Sequence, residues 1–219
     1  MFELLKGGAG KQPWVRLNTS FRSDLLWWHC FLETWNGVAM LENRPTQSPD
    51  VHLYTDASGS FGCGACWGNH WLQLQWPQGL EEWSIARKEL IPIVIACMVW
   101  GQQWWRQRVR VHCDNAAVVE VIKVGYSKEP YLMHLLWCIF FITAFYELTL
   151  LPIHVPGAIN KAADAISRNN IAMFYSQVPN ATSAPVVVPP EVVDLLIRQC
   201  PDWTSQAWSQ WFRNCLQQA

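Results

Sequence analysis

Charge is scarce in this sequence. Asp, Glu, Lys and Arg make up 15% of its 219 residues, and the formal net charge is −1. That excludes a chain gripping phosphate backbones by global positive potential, so any contact with nucleic acid must come from local patches or a neighbouring module. Long apolar runs are also missing: the longest, Leu135 to Phe145, falls well short of the roughly 20 residues a spanning helix needs and reads as a buried helix. The opening MFELLKGGAGKQPW has no apolar stretch of the signal-peptide kind. Eight cysteines are scattered through apolar runs without the density of a disulfide-stapled secreted domain. A reducing intracellular compartment is therefore expected, and the sequons Asn18-Thr19-Ser20 and Asn180-Ala181-Thr182 are expected to carry no meaning.

Apolar residues, by contrast, reach 51%. That suffices for a core, in one compact domain with appendages or in two small domains. Fifteen tryptophans are spread along the chain, a distribution that points to a packed core and buried anchors more than to a ligand box.

Residues 1–48 open Gly-rich, continue with a helical pattern over Ser23 to Leu32, and lead into a linker signal over Arg44 to Pro49. From Val51 the period becomes two, in VHLYTDAS, FGCGACWG and HWLQLQWP, with Gly68-Asn69 joining the second run to the third. This predicts an antiparallel meander. A helix follows Gly79, with Ser84 as its N-cap and an apolar face reaching Trp104; Pro92 is expected to interrupt and kink it. A strand over Arg108 to Cys113 comes next, then helices from about Asn115 to Val124 and over Tyr131 to Glu147. A strand over Leu148 to His154 and a helix over Asn160 to Arg168 complete the pattern. The fold class is α/β, a mixed five-stranded sheet of three antiparallel and two parallel strands flanked by helices. Residues 173–190 read as a Pro- and Val-rich linker, and 191–219 as two amphipathic helices, Glu191 to Ile197 and Trp203 to Gln218, without a sheet partner.

Four acids sit where strands end or helices turn toward them. Asp56, before Ala57-Ser58-Gly59, has an ordinary explanation as an Asx-turn residue. Glu89 shares a helical face with Ile85 and Ile93, which turns its charge to the core side, where an unpaired carboxylate is costly and a metal ion would neutralise it. Asp114 could cap the helix after it, and Asp164 could be a solvated helix residue. Taken together, if the strands ending in Asp56 and Asp114 are neighbours and Glu89 overhangs from the connecting helix, the carboxylates converge. Such hard oxygen ligands favour Mg²⁺ or Mn²⁺, and two ions about 3.5–4 Å apart serve phosphodiester cleavage.

The ordered series VHLYTDASGSFGCGACW, SIARKEL, VHCDNAAVV and HVPGAINKAADAISR, spanning about Pro49 to Arg168, resembles the ribonuclease H domain of retroelement polyproteins, most closely DIRS-type tyrosine-recombinase retrotransposons. The resemblance implies a ribonuclease H-like fold over residues 49–172, with Asp56, Glu89, Asp114 and Asp164 as metal-binding catalytic carboxylates and Mg²⁺ (or Mn²⁺) as cofactor. It also implies hydrolysis of the RNA strand of RNA/DNA hybrids. His154, ten residues before Asp164 (164 − 154), matches a histidine thought to assist proton transfer or product release; the ordinary alternative is a strand-end histidine bonded to the loop Val155-Pro156-Gly157. By the same resemblance, residues 1–48 are a connecting segment after a reverse transcriptase palm, the partner domain, and 191–219 a lead-in to a tyrosine recombinase. Tyr54-Thr55-Asp56-Ala57 is not a Tyr-x-Asp-Asp polymerase motif.

Cys63 and Cys66 have CxxC spacing but no second pair at zinc-ribbon distance, and on a strand they face opposite sides. Gly62, Gly64 and Ala65 suggest close approach of a nucleic-acid backbone. Arg106, Arg108 and Arg110 are either phosphate contacts or a solvated end. Two rivals remain: an inactive ribonuclease H-like scaffold, and a DNA strand-transferring nuclease, a class that usually places its glutamate last in chain order.

Overall fold

A computed structural model describes residues 17–32, 50–80 and 82–197. The chain divides into two units, Met1–Gly37 with Pro201–Ala219, and Val38–Cys200. In the first, helix α1 spans Thr19–Leu32, begun by Asn18, whose Oδ1 accepts the Phe21 amide at 2.9 Å. The Gly-rich opening, the Arg44-to-Pro49 cluster and the expected Trp203-to-Gln218 helix lie outside the described residues.

The second unit is built on β1 (Val51–Ala57), β2 (Gly62–Trp67), β3 (His70–Gln75), β4 (Arg108–Cys113) and β5 (Thr149–His154). They lie in the order β3-β2-β1-β4-β5. The first three make an antiparallel meander, and β4 and β5 extend it parallel to β1. This is the mixed α/β sheet that the periodicity predicts. The helices are α2 (Ile85–Trp100, tightening into a 3-10 turn over Gly101–Trp104), α3 (Ala116–Val124), α4 (Pro130–Phe145), α5 (Lys161–Ser167), α6 (Ile171–Gln177) and α7 (Pro190–Ile197).

Local chemistry explains most boundaries. Gly68, at φ +53, takes the left-handed conformation that a two-residue hairpin between Trp67 and His70 requires. Ser84 caps α2 by accepting the Arg87 amide. The expected interruption at Pro92 is not found, for the helix runs unbroken through it. Pro92 is fully buried among apolar neighbours, and that packing outweighs the one hydrogen bond its missing amide forfeits. Helix α4 is apolar on nearly every side and is accordingly buried along most of its length.

The two sheet faces are covered differently. Helix α5 lies on the face that carries Gly64 and Cys66, where Ile166, Ala165, Trp71 and Phe174 form a cluster with Cys66. Alternation along the strands turns Leu53, Cys63, Val109, Val111 and Cys113, all fully buried, to the other face. Helix α2 contributes Leu90, Ile91, Ile93, Val94 and Ile95 to the core and packs on α4. Each such aliphatic side chain contributes about 2 kcal/mol relative to exposure.

Residues 173–190 carry more structure than their composition indicates. Helix α6 extends to Gln177, Phe174 packs on Trp71, and the amides of Thr182 and Val186 bond to Asn69 and Trp71 oxygens at 2.8 Å each. Helix α7 finds its partner in a helix, not in the sheet: Leu196 is fully buried, and its carbonyl accepts the hydroxyl of Tyr131 in α4.

Candidate functional site

The parallel register of β1 and β4 sets the geometry. Tyr54 pairs with His112, and two residues further along each chain come Asp56 and Asp114, so both carboxylates leave the same end of neighbouring strands. Carboxyl ends of parallel strands are where α/β sheets bind ligands. Asp56, Glu89 and Asp114 line one open cleft of about 500 Å³ there, with Ser58, Gly59 and Arg168.

The ordinary explanations of these acids are met by other residues. The β1–β2 turn is closed by Ser58, whose Oγ accepts the Phe61 and Gly62 amides at 3.1 and 2.9 Å. Helix α3 is capped by Asn115, whose Oδ1 accepts the Ala117 and Val118 amides at 3.1 and 3.2 Å. Neither Asp56 nor Asp114 is needed for turn or cap. Asp164 is partly solvated, as a helix surface residue would be, and its Oδ1 accepts from Arg168 Nε at 2.6 Å.

Asp56 and Glu89 are 3% and 4% exposed, which is unusual for carboxylates. Burial, then the charges of Asp56 and Asp114, pushes the Glu89 carboxyl up to about 9, against a hydrogen bond from the Ala57 main chain. Burial pushes Asp56 up to about 6; the Ser167 hydroxyl pulls it down, and Asp114 and Asp164 push it further up. The charge of Asp164 reaches both Asp56 and Glu89 as well, so the two buried carboxyls sit in the field of the other acids. The expected core face holds for Ile93, fully buried, but not for Ile85, which lines the cleft with Glu89 and is 49% exposed, because the helix–sheet interface opens at that end.

Among the described residues, one set of side chains offers converging ligand atoms. Glu89, Cys113 and Asp114 each present an atom within 4.8 Å of the others. The Cys113 thiol, pushed by burial up to about 12, keeps its proton and donates toward Glu89 Oε2 at 4.0 Å. That leaves carboxylate oxygens as the donor set, which suits a hard divalent cation. Cys63 and Cys66 are free and buried; Cys66 belongs to the Trp71–Phe174 cluster, so the CxxC spacing builds no metal centre.

His154 stands outside the cleft lining, with Nε2 3.1 Å from the Asp114 carbonyl oxygen. The bond goes to the main chain of β4's end, not to the Val155-Pro156-Gly157 loop. Two further expectations are corrected. A Cβ at Gly64 would lie 2.4 Å from Ile166 Cγ2, and one at Gly62 would lie 2.2 Å from the Leu74 carbonyl oxygen. The small residues of β2 therefore admit α5 and β3, not a nucleic-acid backbone, and Ala65 is fully buried. The arginines are not free phosphate contacts either: Arg106 pairs with Glu147 at 2.8 Å, and Arg108 and Arg110 share Asp50 at 2.7 and 2.5 Å.

Sequence reasoning missed Ser167, whose Oγ donates to Asp56 Oδ2, and Arg168 as a wall of the cleft. Helical spacing carried a signal for the first, since Ala163, Ile166 and Ser167 fall on one face, and all three are fully buried.

No family model matches the chain, and no curated protein does. Among solved structures, it is similar to a ribonuclease H1 isolated from compost by a metagenomic approach, at 19% identity over 57% of this chain and 97% of that one, with a TM-score of 0.43. It is also similar to ribonuclease H1 of the halophilic archaeon Halobacterium salinarum, at 16% identity over 57% of this chain and 98% of that one, with a TM-score of 0.42. Among the described residues, no helix is long and apolar enough to cross a membrane.

Proposed function

We propose that residues 49–172 are a ribonuclease H domain that hydrolyses the RNA strand of RNA/DNA hybrids, with Mg²⁺ or Mn²⁺ held by Asp56, Glu89, Asp114 and Asp164. One observation carries this reading. Asp56, Glu89 and Asp114, from a strand, a helix and a second strand's end, line one cleft, two of them buried, with neither turn nor cap to account for them. Divalent cations held by these carboxylates would supply activation of the attacking water and stabilisation of the leaving oxygen.

The chain's own groups do the remaining work. The buried carboxylates set the cation positions and neutralise them. The contact with the Asp114 carbonyl assigns a proton to His154 Nε2, because a carbonyl only accepts, and so leaves Nδ1 as the ring nitrogen that can exchange one. Hybrid recognition rests on groove shape and 2′-hydroxyls, which need few base-reading side chains. With Arg106, Arg108 and Arg110 in ion pairs, the intrinsic grip is weak, and the reverse transcriptase domain of a DIRS-type retrotransposon polyprotein is the partner that supplies it.

The test is cleavage of a labelled RNA/DNA hybrid with Mg²⁺. The wild-type chain cleaves it, while Asp56→Asn and Asp114→Asn do not, although both keep the wild-type circular dichroism spectrum. No cleavage by the wild type at high enzyme and low salt would overturn the proposal. So would cutting of duplex DNA that spares the hybrid.

A further inference from the structure

We propose that Ser167 is a positioning residue for the acid cleft: its hydroxyl fixes one oxygen of Asp56, and Gly64 is the residue that lets α5 come close enough for it to do so. This rests on the cleft being a cation site.

Ser167 is the last residue of α5 and is fully buried. Its Oγ donates to Asp56 Oδ2 and also lies 2.9 Å from the Asp164 main-chain oxygen. A hydroxyl has one proton, and the carboxylate is the stronger acceptor. With Oδ2 occupied, Asp56 keeps Oδ1 for the cleft it lines. Asp56 needs such a partner because Asp114 and Asp164 repel it. Without a donor on its far side, nothing holds the carboxylate in one rotamer among like charges.

The close approach has a definite cause. Asp56 and Gly64 are paired across β1 and β2. A Cβ at Gly64 would sit 2.4 Å from Ile166 Cγ2 and 3.1 Å from the Ser167 amide nitrogen, so a side chain there would lift the end of α5 off the sheet. Gln73 Nε2 ties that end to β3 through the Ile166 carbonyl at 2.6 Å. The hydroxyl thus reaches Asp56 from an anchored helix end. Partners that orient a metal ligand are typically worth about 10–100-fold in metal affinity.

The experiment is Mn²⁺ titration of the full chain by calorimetry, alongside hybrid-cleavage kinetics. Ser167→Ala raises the half-saturating Mn²⁺ concentration about tenfold and leaves the KM for hybrid at saturating Mn²⁺ unchanged. In an Asp56→Asn background, adding Ser167→Ala changes the Mn²⁺ affinity no further, because the hydroxyl acts only through that carboxylate. Wild-type Mn²⁺ affinity in Ser167→Ala overturns the inference, as does an equal loss in the Asp56→Asn background. If the wild-type chain binds no Mn²⁺, the cation site itself falls and the inference with it, an outcome distinct from either.

Discussion

Arg168 Nε donates to Asp164 Oδ1 at 2.6 Å, one helical turn apart, and Arg168 also lines the cleft of Asp56, Glu89 and Asp114. The site therefore carries its own counter-cation. On the proposed function, a divalent ion entering the cleft would meet that positive charge and compete with it for Asp164. Arg168→Gln is expected to tighten Mn²⁺ binding by about two- to five-fold, the scale of an exposed ion pair, and to lower thermal stability in EDTA. Calorimetry and a melting curve read the two effects, and weaker Mn²⁺ binding in the variant would reverse the assignment.

Glu89 is a stability cost retained at the cleft. Its carboxyl is pushed up to about 9 by burial and by Asp56 and Asp114, so at pH 8 the fold holds it against its preference for ionisation in water. Glu89→Gln keeps the shape and removes the charge. It should raise the melting temperature in EDTA at pH 8 while abolishing hybrid cleavage, the trade-off common at functional sites. A lower melting temperature would mean that hydrogen bonding from the Ala57 main chain dominates.

Stability should depend on pH in one direction. Both raised carboxyls, Glu89 from 4.5 to about 9 and Asp56 from 3.8 to about 6, bind protons more tightly folded than unfolded. Their contribution is complete below about pH 4 and is lost as pH rises, through about 6 for Asp56 and about 9 for Glu89. In EDTA, the melting temperature should fall between pH 5 and pH 9, and Mg²⁺ should restore more of it at the upper end, where fewer protons have to leave. A profile that rises over that range would contradict the burial of these groups.

The framework of the site was legible in advance because it follows from strand ends. Period-two runs place Asp56 and Asp114 at the finish of strands, and helical spacing turns Glu89 inward, so topology alone nearly assembles them. What approaches Gly64 was not legible: a missing side chain says that something comes close, and here it is Ile166 of α5, about a hundred residues on (166 − 64). Ion pairing escaped for the same reason. Arg106 finds Glu147 41 positions away and Arg110 finds Asp50 60 positions away, partners that only the folded sheet brings near. The cap and turn duties first credited to the acids went to their neighbours Asn115 and Ser58, whose short side chains reach the nearby amides.

That long-range pairing decides how the domain should respond to salt. Arg108 opens β4 and Asp114 follows its end, which separates Arg108 from the cleft by about 20 Å of strand and Arg110 by about 13 Å. The hydrogen bond from Arg110, and the nearby charge of Arg108, hold Asp50 below the usual carboxylate range, so the three form a closed set. An arginine committed to a carboxylate in this way releases few counterions from a nucleic acid. Arg108→Ala and Arg110→Ala should therefore leave both the KM for hybrid and its dependence on salt concentration unchanged, whereas loss of a true phosphate contact lowers the log–log slope by about 1 per residue. The double variant should instead lose a little thermal stability, because Asp50 then stands without a partner. Cleavage kinetics from low to moderate salt distinguish the two, and a flattened slope would return these arginines to the substrate interface.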